Sequence, residues 1–210
     1  AIPYAKTVLD GNYWGCAPTL TGTYGQYDNG ANVFNAYQNF KGNTLWSGIS
    51  TISGVTLTQN NGLIFGVSAT DTTFYIMTNI YQSSPFAYEV LYTDYGGNET
   101  GNEQFGLVID SSTSISQNTG GGLGGTNYIY RIIRASYYDI CKGTTSLVST
   151  NLSISYPYTT LGTFIQNSTG LIAIADGSTL TSTDTTLSSG YAGFYIYSQL
   201  ITTKQVFVQW

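Results

Sequence analysis

The sequence predicts an all-β protein, an antiparallel β-sandwich of jelly-roll type, and three observations predict it. Short runs rich in Ile, Val, Tyr, Phe and Thr recur along the chain, separated by Gly, Asn, Ser and Asp. No segment keeps a helical period of 3.6 for more than about two turns. About a dozen such runs within one domain-sized chain is the strand count of a single sandwich.

The elements follow in order. Residues 1–15 stand apart as an N-terminal extended tail, ahead of a sandwich domain over 16–210. Ile2, Tyr4 and Val8 share one face of an extended strand, while Pro3 points away and lacks an N–H. Predicted strands come next at 33–40, 54–58 and 63–69, with Asn60-Asn61-Gly62 able to close a hairpin between the last two. Strands at 73–81, 86–93 and 104–109 follow. The Gly-rich segment 119–126 reads as a surface loop, because a phosphate-cradling loop needs a strand before it, a helix after it and a Lys. Residues 128–138 read as one strand and 146–155 as the next. Strands 160–166 and 171–175 flank Asn167-Ser168-Thr169-Gly170, a second hairpin turn. The last two strands, 192–197 and 202–210, alternate most cleanly: Phe194 and Ile196 oppose Tyr195 and Tyr197, and Val206 and Val208 oppose Phe207 and Gln209.

Charge is scarce. Of 210 residues 8% are charged, with six bases, eleven acids, no His and a net charge of −5. Such a chain lacks the basic footprint that nucleic acid requires. It has few groups whose proton binding changes on folding, so its melting temperature is expected to move little between about pH 3 and pH 7. That suits an exterior, acidic setting. No apolar run approaches the roughly 18 residues of a transmembrane helix. The start Ala1-Ile2-Pro3-Tyr4 carries no apolar signal core, as expected of the mature form of a secreted protein.

The residue types that carry chemistry are few. Cys16 and Cys141 lack C-x-x-C spacing and have no His to share a zinc site; in an extracellular chain they predict a long-range disulfide, the alternative being two separate buried thiols. Nucleophilic triads of the usual form are excluded without His. The three Glu residues, Glu89, Glu99 and Glu103, do not form the alternate-position carboxylate pair of a retaining glycosidase, so no catalytic residue is assigned and no enzyme is expected. Asp28-Asn29-Gly30 and Asp176-Gly177 read as turns rather than calcium loops, and no metal or cofactor is expected. Three sequons, at Asn98, Asn151 and Asn167, are candidate N-glycosylation sites; Asn98 and Asn167 fall in predicted turns, from which a glycan can project.

The stretch from Tyr24 to Phe40, with Tyr27-Asp28-Asn29-Gly30 at its centre, and the strand leading into Asn61-Gly62-Leu63 resemble archaeal extracellular surface proteins with concanavalin-A-like sandwich domains. The end, Gly190 to Ser198 followed by Val206-Phe207-Val208, resembles the closing hairpin of that fold. The overall character, with Ile2–Leu9 as a detachable strand, resembles the thread-type filament subunits of Sulfolobales. This resemblance implies a secreted, cell-surface structural subunit that self-associates by donor-strand complementation and serves adhesion or biofilm formation. In that mode Ile2, Tyr4 and Val8 would fill a neighbour's groove; the same strand can instead fold back in cis. The alternative is a lectin-like adhesion module that binds surface carbohydrate, with exposed Tyr and Trp as stacking faces.

Overall fold

The computed structural model describes residues 55–59, 63–67, 72–94, 104–112, 117–119, 126–133, 137–151, 158–175, 178–198 and 204–209. Ile2, Tyr4, Val8, Cys16, Asn98, Glu99, Glu103, the predicted strand 33–40 and the turn 60–62 lie outside these residues.

Fourteen described strands form two seven-stranded sheets. The first sheet runs, in lateral order, β1 (Val55–Gln59), β2 (Leu63–Val67), β14 (Lys204–Gln209), β4 (Phe86–Asp94), β10 (Tyr158–Asn167), β11 (Gly170–Ala175) and β12 (Ser178–Ser182). The second runs β6 (Gln117–Thr119), β3 (Thr72–Ser83), β13 (Ser189–Ser198), β5 (Gln104–Ser111), β7 (Tyr128–Ile133), β8 (Tyr137–Lys142) and β9 (Thr145–Asn151). Every described pairing is antiparallel. β12 packs against β9 and β8. That contact closes one side of the sandwich, and among the described strands β1 and β6 end the sheets on the other.

Aromatic rings from both sheets meet in the core. Tyr92 of β4 packs on Phe105 of β5 with centroids 4.8 Å apart, Tyr88 on Phe194 at 6.2 Å, and Phe164 on Tyr130 at 6.1 Å. All six rings are buried. Such pairs add about 0.5–1.5 kcal/mol each beyond the area they bury. The alternation read in β13 is borne out: Phe194 and Ile196 enter this core, while Tyr195 and Tyr197 join a separate buried cluster on the outer face of the second sheet. Both predicted hairpins form as strand pairs, β1 with β2 and β10 with β11. In the second, Asn167 Oδ1 accepts the backbone N–H groups of Thr169 (2.8 Å) and Gly170 (3.1 Å), which makes the turn. Gly170, at φ 140°, then passes so close to Ser182 that a Cβ would overlap the Ser182 carbonyl.

Two expectations are corrected, and two strands were missed. Residues 128–138 are two strands, not one: β7 and β8 lie side by side, with Ile133 opposite Tyr137. Uninterrupted β-formers hid the reversal, since no Gly, Asn or Pro marks it. The two C-terminal strands are not a hairpin: β13 sits between β3 and β5, whereas β14 sits between β2 and β4 in the other sheet. Alternation fixes which side chains face a core but not which strand is the neighbour. Finally, β6 and β12 carry too few apolar residues to register as strands, and among the described strands both are short sheet edges.

Candidate functional site

The strand registers place side chains in rows across the outer face of the second sheet. The central row runs Tyr75 (β3), Tyr195 (β13), Gly106 (β5), Arg131 (β7), Asp139 (β8) and Ser149 (β9). Beside it lie Gln104 and Tyr197 on one flank, and Val108, Ile129 and Cys141 on the other. Gly106 is required at the centre. A Cβ there would come within 2.6 Å of the Tyr130 carbonyl and 2.9 Å of Arg131 Cβ. Its absence leaves the space between Tyr195 and Arg131 open.

Across that space runs one hydrogen-bonded network. Arg131 grips Asp139 with two parallel bonds, Nε to Oδ1 at 2.7 Å and Nη2 to Oδ2 at 2.8 Å. Its Nη1 donates to Gln104 Oε1 at 2.9 Å, and the Tyr195 hydroxyl donates to the same oxygen at 2.8 Å. Asp139 is fully buried and the Arg131 side chain is 12% exposed. Burial alone would lower the Arg131 pKa, but the bonds and charge of Asp139 outweigh it and raise the pKa, so the guanidinium stays charged. The Cys141 thiol donates to Asp139 Oδ2 at 3.1 Å. Burial and the Asp139 charge push that thiol up to about 12, against the opposing pull of Arg131, so it is a poor nucleophile at neutral pH. Its predicted partner Cys16 lies outside the described residues.

Towards the end of this face the buried tyrosines give way to an exposed lip. Tyr81 stands opposite Tyr191, and Tyr191 opposite Ser111. The Tyr81 and Tyr191 rings meet edge to face, 5.2 Å apart at 82°. Tyr81 is 56% exposed, the one exposed large apolar side chain among the described residues. Its hydroxyl donates to Ser189 Oγ at 3.0 Å, which steadies the ring.

A second polar group holds the segment 183–188 across the same end of the sandwich, between β12 and β13. Tyr128 reaches it with its hydroxyl, which donates to Asp184 Oδ1 and accepts from the Leu187 N–H at 3.2 Å. Asp184 Oδ1 also accepts from the Thr186 N–H (2.9 Å) and hydroxyl (2.6 Å), and Lys142 lies 3.6 Å from Oδ2. Burial would raise this carboxyl, but the bonds from Thr186 and Tyr128 and the Lys142 charge hold it down at about 2.

The sites read from the sequence are not gathered together. Asn151 is exposed at the end of β9, opposite Tyr137, and Asn167 caps the β10–β11 hairpin in the other sheet. Glu89 lies on β4 opposite Thr163, in the sheet away from the network. Sequence reasoning weighed the Glu residues and the turn aspartates Asp28 and Asp176, and so missed Arg131, Asp139 and Asp184. A signal was present: Arg131 and Asp139 are charges set inside runs of Tyr and Ile, and buried charges are paired.

Neither a family signature nor a curated relative matches the sequence. Solved structures do match in fold. A carbohydrate-binding module, CBM66 from Bacillus subtilis, superposes with a TM-score of 0.57 at 16% identity, over 76% of this chain and 91% of that one. A Bacillus subtilis protein of unknown function with a galectin-like fold gives 0.55 at 12% identity, over 77% and 88%. The Bacillus licheniformis β-glucanase gives 0.54 at 8% identity, over 83% and 95%.

Two outcomes are expected. Arg131→Met removes the cationic partner of the buried Asp139, and should cost about 3–5 kcal/mol in denaturant unfolding. The double variant Arg131→Met/Asp139→Leu should recover much of that loss. The Asp184 carboxyl is depressed on folding, so its contribution is present above about pH 4 and lost as pH falls through about 2. With a fifth of its side chain exposed, that contribution is on the order of 1–2 kcal/mol. Asp184→Asn should therefore lower the melting temperature near neutrality and converge on the unsubstituted protein at about pH 2. The shared galectin- and concanavalin-like β-sandwich is the frame in which both polar groups sit.

Proposed function

We propose that the chain is a carbohydrate-binding β-sandwich module that takes sugar at the Tyr81–Tyr191 lip. The observation that carries this reading is an exposed tyrosine ring, held by a second ring and by Ser189, at the margin of a sheet face lined with tyrosines. A fixed aromatic face offers a pyranose ring apolar contact at low entropic cost. The hydroxyls of Ser189 and of Ser83, its register partner on β3, offer hydrogen bonds beside it. The lip carries no ionised group among the described residues, which suits a neutral sugar. Fold-level similarity to a carbohydrate-binding module supports the reading by analogy. Binding without hydrolysis fits the outer face, where the described carboxylate, Asp139, is tied up by Arg131. Glycosidases need a pair of free ones.

Glycan-array screening followed by calorimetry tests this. Tyr81→Ala should weaken binding to the selected neutral glycan about tenfold or more while leaving the melting temperature nearly unchanged. Full affinity in that variant, or no binding to any glycan, would overturn the reading.

A filament subunit of an extracellular surface, N-glycosylated at the sequons of Asn98, Asn151 and Asn167, is the second reading. What favours it is topology: among the described strands the sandwich is closed at β12 and β9, and β1 and β6 are the edges at which a further strand could add. Deleting residues 1–9, with Ile2, Tyr4 and Val8, should leave a folded monomer that no longer polymerises. Fibres from the truncated protein would remove this reading.

A further inference from the structure

Asp110 is a buried carboxylate that neither polar group described above uses. It is 2% exposed and sits near the end of β5 with φ 56°, a left-handed conformation. Between Val108 and Ser111 the β5 strand carries one residue more than β13 does between Tyr191 and Gly193, so Asp110 belongs to a bulge. Gly190 makes room for it: a Cβ there would lie 2.6 Å from Asp110 Cα. The bulge turns the Asp110 side chain to the first sheet, where Gln166 of β10 is 1% exposed. Gln166 Nε2 donates one proton to Asp110 Oδ2 at 2.6 Å and the other to the Leu187 carbonyl at 2.8 Å. Two donations from one nitrogen fix which end of the amide is which. The remaining oxygens, Asp110 Oδ1 and Gln166 Oε1, are buried without a hydrogen-bond partner among the described residues.

Two orphaned acceptors on groups already joined by their other arms share one remedy, a single proton. We propose that Asp110 is held as the neutral acid and that Asp110 and Gln166 form a cyclic carboxylic acid–amide pair, a proton-dependent clasp joining the two sheets and the 183–188 segment. In this ring Gln166 Nε2–H donates to Asp110 Oδ2, and Asp110 Oδ1–H donates to Gln166 Oε1. All four polar atoms are then satisfied, and Leu187 keeps its bond.

The surroundings agree. Burial raises the Asp110 carboxyl to about 6, against the lowering effect of the Gln166 bond. From β7 the nearest titratable group is Tyr128, engaged with Asp184; Asp184 itself is turned to Tyr128, Thr186 and Lys142. β10 presents the neutral Gln166, β13 presents backbone at Gly190, and no cation among the described residues pairs with Asp110. The folded state therefore keeps a proton that the unfolded chain has released. The clasp is fully present below about pH 4 and is lost as pH rises through about 6.

The test compares the unsubstituted protein with Asp110→Asn between about pH 5 and pH 7.5, a window above the titration of Asp184. Asn tolerates the left-handed backbone and supplies a permanent N–H in place of the acid O–H. The unsubstituted protein should melt several degrees lower at the higher pH. The variant should show a flat profile and melt above it at pH 7.5. Carbon-13 NMR of the Asp110 carboxyl should show titration well above the ordinary aspartate range. A carboxyl that titrates in the ordinary range, or a variant that keeps the original slope, would overturn the clasp. Should the variant not fold, the carboxyl titration decides by itself.

Discussion

The centre of the second sheet, strands β5, β7 and β8, is buried on both faces, and that constraint governs the rest of the structure. All eight residues of β5 are buried, so neither side of its backbone has water available. Such a sheet must satisfy every polar group internally or carry none. Here the outer face carries Arg131, Asp139, Gln104 and Tyr195, and satisfies them with one another. A one-residue slip of any of the four strands would turn its member of the network into the hydrophobic core between the sheets. The Arg131–Asp139 pair thus sets register as well as charge balance. Gly106 is its counterpart in shape, because a side chain at that position would wedge apart the strands the network joins.

The end of the sandwich that bears the lip depends on a different arrangement. Segment 183–188 leaves edge strand β12 of the first sheet and enters β13 in the interior of the second. An exposed crossing of that kind needs fixed points. Tyr128 supplies one through Asp184 and Leu187, Gln166 another through the Leu187 carbonyl, and the Ser84 N–H a third at the Ser188 carbonyl, 2.8 Å away. The residues that follow, Ser189 to Tyr191, complete the lip beside Tyr81. Asp110 lies directly beneath them, against Gly190. Stability of the crossing and shape of the lip are therefore parts of one structure.

A scarcity of charge concentrates the expected pH response in a few carboxylates. Two described carboxylates are displaced in opposite directions, Asp110 upward by burial and Asp184 downward by the donors around it. One contribution is lost as pH rises and the other as it falls, so stability between about pH 4 and pH 6 draws on both. The expectation of a nearly flat profile came from counting ionisable groups. A count does not show where each group is buried.

The sequence by itself determined the fold class, most of the strands and the faces of β13. Period-two alternation of apolar and polar residues is local information, and Phe194 and Ile196 point to the core because nearest neighbours dictate it. The Asn167 turn was legible for the same reason, since an Asn side chain bonds to backbone within three residues of itself. Only the tertiary structure decided that β13 and β14 lie in different sheets, that 128–138 reverses on itself, and that Arg131 meets Asp139 across two strands. It also brought Asp110 to Gln166, 56 residues away, and stood Tyr81 beside Tyr191. Strand pairing and charge pairing join residues distant along the chain, and neither leaves a periodic trace in it.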